Sequence, residues 1–184
     1  MHLRLTTTLT LMFAALACGP APAPAAPVSA PERPWVGREA ELFPDSIDPL
    51  AAGIALVATA DAGLRDRTQL ADHIARVKVT TTSTEVVESA RPRRRLAVVP
   101  FGEALLRSKR PPPPQLELTI DDRSAAVGIA QAMEGRLVGR TFIGFFRVFT
   151  GPEGQKVHFH LAPDTPETAA AIREAAALAE VTQP

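Results

Sequence analysis

The chain has 184 residues, with 20 basic and 20 acidic side chains, one tryptophan and no tyrosine. A neutral chain has no general attraction to nucleic acid or to anionic lipid, and so few rings offer no stacking platform for bases. The one cysteine, Cys18, excludes an intramolecular disulfide framework. At the N-terminus a short basic start, His2 and Arg4, precedes an apolar run from Leu9 to Ala17. A spanning helix takes about 20 residues, so this run is too short to cross a bilayer. Its length and small-residue end suit the apolar region of a secretory signal.

The stretch A-A-L-A-C, ending at Cys18, resembles the lipobox of bacterial lipoprotein precursors, with Ala15 where that family prefers leucine. The resemblance implies cleavage after Ala17 and a mature N-terminus at Cys18 carrying a thioether-linked diacylglycerol, with palmitate-type chains. Two acyl chains anchor stably where one is marginal. Gly19, in place of aspartate after the cysteine, implies the outer membrane by the family's sorting pattern, with the domain facing the periplasm. The alternative is an ordinary signal peptide cleaved after Ala15 or Ala17, which leaves a stray thiol. Loss of Arg4 with residues 1–17 leaves 19 basic against 20 acidic residues.

Residues 19–34 carry six prolines in sixteen positions and almost no bulky apolar side chain. Such a segment builds no core and favours extended polyproline II, a semi-rigid spacer. The expected organisation is therefore a signal over 1–17, a lipidated cysteine and tether over 18–34, and one domain over 35–184.

Within that domain Asp48-Pro49 reads as a helix start, with Leu50, Ile54 and Val57 at helical spacing and Gly63 past the end. A short turn or helix over 64–72 follows. Strands are expected over 74–82, where Ala75, Val77 and Val79 alternate with Arg76 and Lys78, over 95–103, and over 116–120. Pro100 places the second of these at an edge or bulge. Asp121-Asp122-Arg123-Ser124 reads as a cap before a helix over 124–137, weakened by Gly128 and Gly135. Two strands, 141–150 and 155–162, flank G-P-E-G as a hairpin. Its simplest register pairs Val148 with Val157 and Phe146 with Phe159. That puts Phe142, Gly144, Phe146, Val148, Val157, Phe159 and Leu161 on one apolar face. Ile143, Phe145, Arg147, Phe149, Lys156, His158 and His160 share the other. Asp164, three residues before Glu167, reads as a capping-box start for a final helix to about Glu180.

This order predicts an α+β fold: a small five-stranded OB-like barrel, or an open antiparallel sheet with flanking helices. The OB resemblance is one of element order.

His158 and His160 at i and i+2 on a strand point to one side and are the candidates for a metal. H-F-H resembles the His-x-His strand motif of α-carbonic anhydrases and, with Asp164, that of cupins. No histidine follows His160 to complete the first pattern, and the cupin glutamate and glycines are absent. His73 is the remaining candidate ligand. Arg147 across from His158 and Lys156 beside it disfavour a cation and favour an anion or an acidic surface. Arg147, His158, His160 and Phe145 are thus candidates for a binding surface, unless a helix covers that face. Arg91, Arg93, Arg94 and Arg95, with Arg107, Lys109 and Arg110, read as solvating charges beside an edge strand.

The functional expectation is a lipid-anchored envelope lipoprotein with a non-catalytic binding or scaffolding role and no cofactor. Its partners are the membrane, through the anchor, and an envelope protein or anionic ligand, with no nucleic acid. The alternative is a metal-dependent hydrolase or metal-binding protein built on His158 and His160.

Overall fold

The computed structural model describes residues 32–54, 61–86, 92–102, 114–133 and 135–182. The signal, Cys18, the tether up to Pro31, residues 55–60 of the expected 48–62 helix, Arg91, and the cationic run of Arg107, Lys109 and Arg110 lie outside these residues.

The hairpin is the centre of the fold. β5 (Thr141–Gly151) and β6 (Gly154–Pro163) pair antiparallel in the expected register, with Phe146 opposite Phe159, Arg147 opposite His158 and Val148 opposite Val157. The strands run one step further than expected, so Gly151 faces Gly154 around Pro152-Glu153. Gly154 holds φ at +102°, a conformation that a side chain resists. On the other flank of β5 lies β2 (His73–Glu85), followed by β3 (Arg93–Pro100) and β4 (Leu116–Ile120). A bulge between Val79 and Thr81 breaks the β2–β3 register. Such bulges increase local twist.

A further strand, not expected, is β1 (Ser46–Ile47), which pairs parallel to β6 through Ser46–His160 and Ile47–Leu161. Among the described residues the sheet is therefore six-stranded, mixed and open, in the order β1-β6-β5-β2-β3-β4. β1 ends one residue before Asp48, where the expected helix begins. Asp48 caps as expected, its Oδ1 accepting the N–H of Leu50 (2.7 Å) and its carbonyl that of Ala52 (3.0 Å). The turn over 49–53 nevertheless closes at Gly53, at φ +75°, with the Ile54 N–H on the Pro49 carbonyl (2.8 Å).

Among the described residues four helices complete the α+β fold: α1 (Gly37–Leu42), α2 (Leu64–Leu70), α3 (Val127–Ala132) and α4 (Pro166–Thr182). α1 was not expected. α3 is shorter than the 124–137 reading, and the chain past it turns through Gly135 at φ +76°. Asp121 forms an Asx turn before it, accepting the Arg123 N–H and the Ser124 hydroxyl. The cap of α4 is Thr165, whose Oγ1 accepts the N–H of Thr168 (3.2 Å). Asp164 instead bonds Arg76 Nε at 2.9 Å. The capping-box reading thus falls one residue early, because Arg76 on β2 is within reach of the carboxylate. No helix among the described residues is long and apolar enough to cross a membrane.

Each face of the hairpin has its own core. Phe142, Phe146, Phe159 and Leu161 pack with Val77, Val79, Leu96, Val98, Leu118 and Ile120 inside the curl of the sheet, over Ala130, Met133 and Leu137. On the opposite face Ile143, Phe145 and Phe149 pack with Leu42, Phe43, Ala169 and Ile172. β5 is buried without interruption from Phe142 to Arg147, as a strand covered on both sides must be. The outer face of β2, β3 and β4 is polar, with Arg95 bonded to Glu85 and Glu117, both at 2.7 Å.

Candidate functional site: the covered face of the hairpin

The residues singled out on the hairpin's second face lie under a strap of chain running from residue 32 to 45. The strap enters the fold at Arg33, which exchanges both backbone hydrogen bonds with Thr150 (3.0 and 2.9 Å). The Arg33 guanidinium bonds Asp72 (3.1 Å) and the Val148 carbonyl (3.2 Å). Trp35 donates its indole N–H to the carbonyl of Phe43 (3.0 Å), closing the strap around α1. Leu42 and Phe43 are then buried against the sheet. Of the two fates open to this face, covered is the one observed. Phe145, Arg147 and His158 are buried, and His160 is half-buried.

His158 is held on three sides. Its Nδ1–H donates to Asp45 Oδ2 (2.8 Å), Trp35 stacks on its ring at 3.9 Å, and Phe149 meets it edge-on at 5.3 Å. Asp45 Oδ1 also accepts the backbone N–H of Phe159 (3.1 Å), and the Asp45 carbonyl takes the N–H of Ala126 (2.9 Å). To reach these partners Asp45 adopts φ +51°, uncommon outside glycine. Burial pushes the Asp45 carboxyl above its ordinary range, and the bonds from His158 and Phe159 oppose that shift.

Arg147 sits beside His158 and donates to Glu39 Oε1 on α1 at 2.6 Å. Its Nε is buried and has no hydrogen-bond partner among the described residues. A buried donor left unpaired costs about 1–3 kcal/mol.

His160 belongs to a second cluster. Its Nδ1 shares a hydrogen bond with Ser46 Oγ (2.7 Å), and its Nε2 lies 4.0 Å from Asp61 Oδ2. Arg67, also buried, bonds Asp61 (2.5 Å) and the Leu42 carbonyl (2.8 Å), with its guanidinium 5.6 Å from the centre of the Phe145 ring. Burial, then the charge of Arg67, lowers the His160 pKa to about 4, while Asp61 raises it. The ring is therefore neutral at pH 7. Ser46, His160 and Asp61 are not joined into one hydrogen-bonded chain, since 4.0 Å is beyond hydrogen-bond distance and the aspartate is bonded to Arg67. A cavity of about 450 Å³ beside Asp61 is lined by Asp48, Leu64, Pro163 and Glu167 among others, but by neither histidine nor Ser46.

The third metal candidate is on the wrong side. His73 is in register with Phe146, so its side chain starts from the inner face, opposite to His158 and His160. Asp164 is engaged by Arg76. Among the described residues no group of three or more His, Cys, Asp or Glu is placed to hold a metal ion.

Trp35, Glu39, Asp45, Ser46, Asp61 and Arg67, which determine what the histidines do, carry no motif that marks them in the sequence. The one available signal was the lone tryptophan at the start of the domain. Comparison with protein-family models, curated proteins and solved structures finds no match to this chain.

Proposed function

We propose that the protein is a lipid-anchored lipoprotein of the bacterial envelope, attached to the outer membrane through Cys18. Residues 18–34 space its domain from the bilayer, and that domain binds or scaffolds an envelope protein or an anionic ligand without catalysis. The observation that carries the non-catalytic reading is the engagement of both histidines within the fold: His158 between Asp45 and Trp35, and His160, neutral, on Ser46. A catalytic histidine needs a ring nitrogen facing substrate, and neither histidine lines the cavity beside Asp61. The succession β2-β3-β4-α3-β5-β6 is that of an OB-like arrangement to which β1 is added, and we include that relationship in the proposal.

Two measurements test this reading. Cells fed a labelled fatty acid incorporate it into the wild-type chain and not into the Cys18→Ser form; label in both refutes the anchor. The purified protein contains no stoichiometric zinc, iron or manganese. A metal lost from a His158→Ala, His160→Ala double variant that still folds would return the hydrolase or metal-binding alternative.

A further inference from the structure

The strap buries Leu42 and Phe43 against the face beneath it, yet leaves one buried donor of that face unpaired among the described residues. Arg147 receives one carboxylate oxygen from Glu39 and keeps a buried Nε unpaired. Asp45 reaches His158 and Phe159 only in a left-handed backbone conformation. α1 is six residues long, and Val36 at its start provides no side-chain cap. By contrast the hairpin below is continuous, with all six residues from Phe142 to Arg147 buried. A continuous buried face under a short segment that leaves one of its donors unpaired is the arrangement we take for a self-occupied docking site.

We propose that residues 32–45 are an exchangeable strap over a docking face made by Phe145, Arg147, Phe149 and His158, and that the partner is an acidic peptide segment bearing an aromatic ring. The strap itself states the chemistry the face accepts. It brings an indole to the imidazole of His158, a carboxylate to the Arg147 guanidinium, and a second carboxylate to His158 and the Phe159 N–H. A partner that supplies a carboxylate to Arg147 Nε as well gains a charge-assisted bond the strap does not make. Displacement also releases the chain between the tether and β1. This inference supplies a site for the binding reading above, and it does not depend on the lipid.

Trp35 is the one tryptophan of the chain, so its fluorescence reports the strap alone. The test uses the full chain carrying Cys18→Ser, with Glu39→Gln added to weaken the strap. The probe is a fluorescein-labelled peptide of residues 32–47. In the Glu39→Gln form, acrylamide reaches Trp35 about tenfold more often than in the Cys18→Ser parent at denaturant concentrations where far-ultraviolet dichroism is still native. That form captures the peptide, and Arg147→Met, which keeps the side-chain stem packed, abolishes capture. Exposure of Trp35 only together with global unfolding overturns the proposal, since the strap is then part of the cooperative fold. An opened strap with no capture overturns it as a docking face. Failure of Cys18 labelling refutes the anchor and leaves both results unaffected.

Discussion

The indole of Trp35 lies on the imidazole of His158 with 3.9 Å between ring centres and 13° between planes. This contact joins the strap to the hairpin, and the indole N–H adds a bond to the Phe43 carbonyl. The two contributions separate by substitution. Trp35→Phe keeps a ring over His158 and loses one hydrogen bond, for a cost of about 1 kcal/mol. Trp35→Ala loses both, and for a half-buried ring the expected cost is about 2–3 kcal/mol. Urea unfolding midpoints measure the difference. Equal losses would place the stabilisation in the N–H bond and not in the stack.

His160 makes the fold sensitive to mild acid. Its pKa falls from 6.5 to about 4 on folding, so the folded protein binds fewer protons than the unfolded chain in that interval. The stability this ring contributes is fully present above pH 6.5 and is lost as pH falls toward 4, up to a ceiling of about 3 kcal/mol. Asp45 acts in the opposite sense. Its raised pKa favours the fold at low pH, and that contribution fades as pH rises through the raised value. The exposed carboxylates of Glu153 and Glu167 have lowered values, so they enter only at the acid end of the window. Comparing unfolding free energies at pH 7 and pH 4.5 isolates the ring. The wild type loses stability across that step, and His160→Gln, which can still bond Ser46, loses clearly less. Identical slopes in the two proteins would remove His160 as the cause.

The start of α4 separates a cap from an ion pair. Thr165→Ala removes the acceptor for the Thr168 N–H and costs about 1 kcal/mol, with faster hydrogen exchange in the first turn. Asp164→Asn leaves that turn protected and weakens only the partly exposed bond to Arg76, for a smaller loss. The reverse ranking would restore Asp164 as the cap.

How much of this was legible follows from the range of each interaction. The hairpin could be read because two faces of period two, joined by a short turn, determine their own register. The strand at 116–120 could be read for the same reason. The strap could not. Glu39 finds Arg147 at 108 positions' remove, Asp45 finds His158 at 113, and Ser46 finds His160 at 114. A two-residue parallel strand has no periodicity to detect, and α1 is too short to show a stripe. Asp48-Pro49 does carry a helix-start signal, and Asp48 caps a turn. At Gly53, however, with φ +75°, the N–H groups of Gly53 and Ile54 return to the carbonyls of Leu50 and Pro49 and close that turn as a helix end. The candidate face was thus visible as a set of residues, while its covering depended on pairings that local sequence does not contain.

Gly144 shows how tightly the inner face of β5 is drawn. It sits between Ala75 and Leu161 in register, and the ring of Phe146, two residues along the same strand, folds back over it. A methyl group at this position would lie 2.2 Å from Phe146 Cζ and 2.5 Å from Cε2, closer than real carbon atoms approach. Its φ is not left-handed, so the objection to a side chain here is steric and not conformational. Gly144→Ala must therefore move a fully buried ring, and overpacking of this kind costs about 1–3 kcal/mol. The steric origin predicts coupling. Phe146→Leu alone is destabilising through lost packing, but in the double variant the smaller side chain leaves room for the methyl, and the double variant loses less than the sum of the two single losses. A double-mutant cycle in urea gives the coupling directly, with an expected magnitude of about 1 kcal/mol or more. Strict additivity would mean that the Phe146 ring is not what excludes the methyl, and that the glycine is needed instead for backbone approach to Ala75 and Leu161.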